Sequence, residues 1–217
     1  MEPRALPNVV ERVFAGLGRV RHARAFHPTG RLFAGTIRAF DRCPEWLPLP
    51  RRPQPALVRL SKGVGLPGAI PDVLGLALRT EVRGAPWDVL LSSHAPGSLV
   101  WLPFPAARWC GARLSTLGGL EGVGGSGVLT ATGAALPHST RLDALCTASP
   151  MTFTLSLHDF GPVGEVSLTA IAKSPAPDFD PVVNAAGLEL KPTWLGAIRA
   201  RAYAGSRSGR GAPRSTG

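Results

Sequence analysis

The stretch LFAGTI, residues Leu32–Ile37, is the first of a series of short apolar runs that decides the fold. Clusters of proline, glycine and charged residues separate the runs at intervals typical of β-hairpins. This spacing favours antiparallel strands over alternating βαβ units. The runs are Leu32–Ile37, Ala56–Leu60, Val73–Leu78, Val89–Leu91, Leu99–Leu102, Met151–Leu157 and Val166–Ile171. We therefore predict about seven antiparallel strands in a small barrel or a sandwich.

Both ends of the chain are predicted to add a helix to this sheet. Residues 1–18 place apolar side chains near helical spacing and end in two glycines. A second helix is expected over about 191–203, where Thr193 can cap the first turn and an apolar face follows. Residues 204–217 combine glycine, serine and arginine and are interpreted as a basic, flexible tail. The sequence thus predicts an α+β fold in which residues 19–203 form a single domain between an N-terminal helix and the tail.

The composition favours a folded chain without a membrane-spanning segment. The 217 residues are 44% hydrophobic and 18% charged, which suffices for one sizeable core. No apolar stretch has the length of a spanning helix, and the first residues lack the pattern of a signal peptide. The cysteines Cys43, Cys110 and Cys146 fit neither a disulfide framework nor a zinc site. We expect a cytoplasmic protein with no membrane partner.

Arginine carries almost all of the positive charge. The net charge is +10, and only three of the 24 cationic residues are lysine. One interpretation is a coding bias, and the other is selection for guanidinium groups that bind carboxylates or phosphates through two hydrogen bonds. A basic chain can also hold nucleic acid, but the arginines are scattered and no aromatic-rich RNA-binding motif is present. A nucleic-acid partner is therefore disfavoured.

The single tyrosine is the most informative residue for chemistry. Arg199 precedes Tyr203 by four residues, so the two side chains would share one face of the expected helix. A guanidinium in that position lowers the pKa of the phenol and favours the phenolate, which can bind ferric iron. An arginine stacked on an aromatic ring at a helix end is the structural alternative.

Five segments of the sequence together resemble the haem catalase superfamily. They are RVRHAR at 19–24, ALVRLS at 56–61, PDVLGLALR at 71–79, WDVL at 87–90 and RARAY at 199–203. Their order and spacing resemble the family's distal motifs R-V-V-H-A-[KR], V-R-F-S, D-x-R-G-F-A-V-K-F and W-D-L-V-G-N-N and its proximal R-x-x-x-Y. The resemblance covers residues 19–93 and 199–210, whereas 94–190 are shorter than the equivalent span of a full catalase. It implies a reduced catalase-like β-barrel, similar to a catalase-related peroxidase.

The distal motifs imply roles for four residues. By this resemblance His22 is the distal acid and base, and Ser61 is the hydroxyl that orients its ring. Arg19 and Arg59 correspond to partners of the haem propionates.

The proximal motif implies a b-type haem. Tyr203 corresponds to the axial iron ligand, and Arg199 to the residue that holds it as phenolate. Arg207 could supply a further propionate contact, although its spacing from Tyr203 differs slightly from that of the family.

The chain departs from the family at the position of the distal asparagine, which falls on Ser93. The asparagine helps to bind peroxide, and a hydroxyl retains one hydrogen-bond donor in place of the amide. We therefore expect a peroxidase, a peroxygenase or a weak catalase that uses hydrogen peroxide or an organic hydroperoxide with a small organic co-substrate. A homo-oligomer is compatible with this interpretation.

Two further motifs and one non-enzymatic class stay open as alternatives. The triplets 27–29 and 138–140 resemble the His-x-[Ser/Thr] pair of two-histidine phosphoesterases, but proline and glycine disfavour the strands that this family needs. Residues 122–127 match G-x-G-x-x-G, but a strand or turn follows instead of a helix, so a hairpin connection is favoured. The remaining alternative is a catalase-like protein that binds haem or a lipid without turnover.

Overall fold

The computed structural model describes residues 29–148 and 150–191, which form eleven strands and one short helix. The strands are β1 (Thr29–Ala39), β2 (Gln54–Lys62), β3 (Leu74–Val82), β4 (Ala85–Ser93), β5 (Arg113–Ser115), β6 (Gly119–Gly122), β7 (Gly125–Gly127), β8 (Leu129–Ala134), β9 (Met151–Leu157), β10 (Gly161–Ile171) and β11 (Glu189–Lys191). Eight of them close an antiparallel barrel in the order β1-β10-β9-β8-β5-β4-β3-β2. Closure leaves this sheet without an unpaired edge.

A two-residue alternation in the sequence builds the barrel interior. In β9, Met151, Phe153, Leu155 and Leu157 are buried, and the threonines and serine between them are half-buried. A strand with this period directs all of its apolar side chains to one side. The same pattern in the other barrel strands forms one apolar core. Complete burial of each large side chain contributes about 1.5–3 kcal/mol to folding.

The glycine-rich segment forms a separate three-stranded sheet of order β11-β6-β7. Gly124 in the β6–β7 turn has a φ of +89°, a conformation that residues with a Cβ rarely adopt. A Cβ on Gly125 would overlap the indole of Trp46, which packs on this hairpin. The G-x-G-x-x-G match is therefore the hairpin connection that the sequence favours.

Most of the predicted strands are confirmed, and one is wrong. Six of the seven apolar runs lie in β1, β2, β3, β4, β9 and β10. The run Leu99–Leu102 instead forms a turn, in which Leu102 N donates to Leu99 O at 3.0 Å. Prolines and glycines on either side keep this short run out of the sheet.

The barrel is confirmed, but the described residues do not support the α+β class. Their only helix is α1 (Ala144–Thr147), which has four residues. Lys191 ends β11, and residues 1–18 and 192–203, over which the two flanking helices are expected, lie outside the described residues. Nowhere in 29–148 or 150–191 is there a helix long and apolar enough to cross a lipid bilayer.

A buried carboxylate fastens the segment after β10 to the outside of β3 and β4. The Asp88 carboxylate accepts from Arg79 Nε and Nη2 at 2.6 Å each, and from Asp180 N and Asn184 Nδ2 at 2.7 Å each. The hydrogen bond to Asp88 raises the pKa of the Arg79 guanidinium above its usual value. Phe179 of the same segment is buried and also lies over Arg79. The carboxylate thereby holds the segment against the barrel.

Replacement of this carboxylate tests its contribution to stability. Asp88→Ala should lower the free energy of unfolding by about 3–5 kcal/mol, because a partly buried guanidinium and two further donors lose their acceptor. Urea unfolding followed by circular dichroism measures the change. The matched control is Glu165→Ala, which removes the more exposed ion pair with Arg38 and should cost about 1 kcal/mol or less. Equal losses in the two variants would contradict this role of Asp88.

Candidate functional site

Arg59 and Ser61 lie next to each other on the outer side of the barrel. Val58 and Leu60 in the same strand belong to the apolar core. Because side chains alternate along a strand, Arg59 and Ser61 face the opposite way. The structure thus brings together two of the residues that sequence analysis assigned to one haem site.

Strand pairing extends this arrangement into two rows across β1–β4. The first row is Gly30, Ser61, Gly75 and Ser92, and the second is Leu32, Arg59, Ala77 and Leu90. We call these eight residues the outer face. Glycine and alanine occupy three of the eight positions, so few side-chain atoms lie beside the hydroxyls of the first row. Leu32 and Ala77 of the second row are buried in a cluster with Phe179 of the segment after β10, so the polar groups of the face lie beside this cluster.

The Ser61 hydroxyl is buried although it faces outward. Its residue is only 2% exposed, and Oγ donates to the carbonyl oxygen of Gly75 at 3.4 Å. A distance of 3.4 Å is long for an O–H donor, so this bond is weak.

The Arg59 guanidinium lies against the backbone of β1. Arg59 is 8% exposed, and a Cβ built on Gly30 would stand 2.8 Å from both Cζ and Nη2. Only glycine leaves room for the guanidinium at this place. A buried guanidinium has a planar fork of donors, which suits a carboxylate partner.

The structure gives Ser93 a backbone role that sequence analysis did not foresee. Ser93 Oγ accepts from Leu74 N at 2.9 Å and donates its single proton to Phe104 O at 2.6 Å. The residue is buried and follows the inward parity of Leu91. Donation to a peroxide would require Ser93 to give up its bond to Phe104, so its catalytic role conflicts with these contacts and stays only a prediction.

Ser92 is the hydroxyl of β4 that belongs to the outer face. It is half-buried, pairs with Gly75, and has no hydrogen bond from its hydroxyl to another described residue. The count of positions from Trp87 leads to Ser93, whereas the two-residue period of the strand leads to Ser92. The alternation of Trp87, Val89 and Leu91 in the sequence already indicates this period.

The other predicted haem residues cannot be placed. Arg19, His22, Arg199, Tyr203 and Arg207 lie outside the described residues. Within 29–148 and 150–191, no group of three or more histidine, cysteine, aspartate or glutamate side chains could hold a metal ion.

The second triplet of the phosphoesterase motif has a structural use instead. His138 is exposed, whereas Thr140 is buried and donates from Oγ1 to Ile70 O at 3.0 Å. Ser139 Oγ accepts from Arg141 N in a local turn. The first triplet begins at His27 and lies mostly outside the described residues. The observed contacts of the second triplet are those of a loop and give the motif no support.

Comparison with known proteins supports a fold and leaves the family open. No protein-family model matches the chain, and no curated protein matches it in sequence. Among solved structures, the chain is similar to "Structure of a bacterial catalase", with a TM-score of 0.56 and 12% sequence identity. The match covers 96% of this chain and 61% of that chain, so this chain spans less than two thirds of its length. At this identity the similarity establishes a catalase-like barrel fold and nothing about the reaction.

Proposed function

We propose that this protein is a haem-dependent enzyme that uses peroxides, with a b-type haem ligated by Tyr203. The observation that carries the proposal is the outer face, where Arg59 and Ser61 lie side by side and buried. Both residues belong to the single segment ALVRLS at 56–61, which resembles one distal motif of the catalase superfamily. The catalase-like barrel supports the same interpretation independently, because a comparison of folds does not use this motif.

We place a flat macrocycle that carries carboxylates against the first row of the outer face, where Gly75 brings no side chain. Leu32 and Ala77 of the second row are covered by Phe179. The Arg59 guanidinium, which lies over Gly30 at the edge of the face, matches the charge and planar geometry of a propionate. Arg19 and Arg207 are proposed as further propionate partners.

The haem, when bound, would supply the iron-centred redox chemistry that splits the peroxide bond. On the proximal side, Tyr203 would bind the iron through its phenolate oxygen. The Arg199 guanidinium would hold the pKa of this phenol low, since a neighbouring positive charge favours the phenolate.

His22 would move one proton. Its imidazole would accept the proton from one oxygen of the peroxide and return it to the oxygen that leaves as water or alcohol. The Ser61 hydroxyl, whose proton is donated to Gly75 O over 3.4 Å, would accept a hydrogen bond from the other ring nitrogen. This contact would fix the orientation of the ring during the transfer.

The hydroxyl beside the peroxide is assigned to Ser92 in this proposal, because Ser93 uses its proton on Phe104. A serine there is shorter than the asparagine of the catalase motif and leaves room for an organic molecule. The proposed substrates are therefore hydrogen peroxide or an organic hydroperoxide, together with a small organic co-substrate. Peroxidase, peroxygenase and weak catalase activity are all compatible with this arrangement.

Replacement of the proposed iron ligand tests the haem site. Tyr203→Phe, expressed with sufficient haem supply, should lose the haem or change its ferric absorption spectrum, because phenylalanine has no oxygen to bind iron. An unchanged ferric spectrum would rule out Tyr203 as the ligand.

Replacement of the proposed acid and base tests the reaction. His22→Ala should retain the haem and react with hydrogen peroxide at least about 100-fold more slowly in stopped-flow measurements, because proton transfer loses its carrier. The matched control, His138→Ala, changes an exposed histidine and should react at the wild-type rate. A His22→Ala protein that reacts as fast as wild type would remove His22 from the mechanism. Haem retention without any peroxide reaction in wild type would favour the non-catalytic alternative.

The neighbouring serines form a matched pair for the third test. Ser92→Asn should raise oxygen evolution relative to oxidation of a chromogenic donor, since an amide on the outer face restores the donor of the catalase motif. Ser93→Asn should instead lower stability by about 1–3 kcal/mol, because a larger side chain enters a packed position. A Clark electrode, a donor assay and thermal unfolding measure these effects. Increased oxygen evolution in Ser93→Asn alone would reverse the assignment.

A further inference from the structure

Two adjoining loops at one end of the barrel expose a concentration of large apolar side chains. They are the β2–β3 loop, residues 63–73, and the β4–β5 loop, residues 94–112. Backbone hydrogen bonds in both directions between Asp72 and Ala106 join them, at 3.2 and 2.9 Å. The exposed side chains are Val64, Ile70, Leu99, Trp101, Leu102 and Phe104, with Trp101 58% and Phe104 50% exposed. We call these six residues the apolar loop patch.

The two segments that carry the patch are uncharged. Residues 63–71 and 95–107 contain no aspartate, glutamate, lysine or arginine. Single exposed apolar residues are common on proteins, but several on joined, uncharged segments mark an interaction site.

Two buried charged side chains at this end of the barrel form hydrogen bonds with the backbone of the β2–β3 loop. The Asp72 carboxylate accepts from Val64 N, Gly65 N and Leu66 N at 2.8–2.9 Å. The ammonium group of Lys62, which is buried, donates to Gly68 O and Ile70 O at 3.1 and 3.0 Å. Burial lowers the pKa of Lys62, while Asp72 opposes this shift. Three N–H groups and two carbonyl groups of this loop are thus paired with buried side chains, while the side chains of Val64 and Ile70 are exposed.

The second loop is held in the same manner. The Ser93 hydroxyl donates to Phe104 O, and the Ser115 hydroxyl donates to Val100 O. Within the loop, Ala95 N donates to Leu102 O at 2.9 Å. Paired backbone groups are what a segment needs in order to enter an apolar medium, because each unpaired group would cost several kcal/mol there.

Positive charge is concentrated in the sequence on either side of the described residues and next to the second loop. Residues 1–28 contain five arginines and two glutamates, and residues 192–217 contain five arginines and no acidic residue. Residue 28 is followed by Thr29, which pairs with Lys62 at the same end of the barrel as the two loops. Exposed Arg108 and Arg113 lie in or directly after the second loop. An apolar patch with neighbouring basic groups matches the two signals that bind a protein to anionic membrane surfaces.

We propose that the apolar loop patch docks on the surface of an anionic lipid bilayer. The side chains of Trp101 and Phe104 would enter the boundary between headgroups and acyl chains, where aromatic residues are favoured. Charge complementarity selects this occupant over a second copy of the chain, since pairing would bring two net charges of +10 together. Docking concerns the membrane surface and needs no spanning segment, so it revises the expectation of no membrane partner.

Vesicle sedimentation of the full-length chain tests the proposal. The probes are vesicles of phosphatidylcholine alone and vesicles that also contain phosphatidylglycerol. The protein should sediment with the anionic vesicles and less with the neutral ones, and added salt should weaken the binding. The double variant Trp101→Ser/Phe104→Ser should bind about tenfold or more weakly, since two apolar side chains no longer leave water.

A control variant removes an apolar residue that is more exposed than Trp101 or Phe104 but lies outside the patch. Val123 is 98% exposed in the β6–β7 turn, and Val123→Ser should bind the anionic vesicles as wild type does. Circular dichroism should show that both variants are folded, because the replaced side chains are exposed. Should the double variant fail to fold, quenching of wild-type but not Trp101→Phe fluorescence by brominated lipids would supply the same evidence.

Three results would overturn the proposal. The first is wild-type protein that stays in the supernatant with anionic vesicles at low salt. The second is a folded double variant that binds as tightly as wild type. The third is a dimer in analytical ultracentrifugation that the double variant abolishes, which would assign the patch to a second copy of the chain.

Discussion

Barrel closure around an apolar interior is the constraint on which the other features depend. Val58 and Leu60 pack in the core. Because side chains alternate along a strand, Arg59 and Ser61 face outward. Pairing with β1 and β3 then sets these residues beside Gly30 and Gly75. The outer face is therefore a consequence of core packing in β2, and a shift of one residue in register would destroy it.

The same constraint explains how much of the fold could be predicted from the sequence. Strands with a clear alternation, such as Met151–Leu157, were predicted with their observed bounds. The run Leu99–Leu102 has the apolar composition of a strand but no partner in the sheet, and local composition does not reveal which runs find partners. The three-residue strand β5 was missed because it is too short to show a period.

The candidate site was predictable in part for a related reason. Arg59 and Ser61 belong to the segment ALVRLS, whose spacing resembles that of the catalase motif, so both residues could be predicted from the sequence. The choice between Ser92 and Ser93 depends on strand parity, which the residues Trp87, Val89 and Leu91 already contain. Asp88 accepts a hydrogen bond from a segment 92 residues away, and no local sequence pattern predicts such a contact.

The buried polar groups at the end of the barrel that carries the two loops have a different role from those on the outer face. Lys62, Asp72 and Ser93 pair with backbone groups and fix the shape of the two apolar loops. Because β2 and β4 end at these loops, Ser61 and Ser92 lie close to the point where the loops begin. A membrane-docked chain would hold this part of the outer face near the lipid surface.

The central claim is that one haem binds to this chain at the outer face. Titration of the purified full-length protein with haemin, followed by absorbance in the Soret region, tests it most directly. The account predicts a Soret band that saturates at one haem per chain, and a clearly weaker affinity in Arg59→Leu, which lacks the charged partner for a propionate. Absorbance that rises without saturation, as free haemin does, would contradict it.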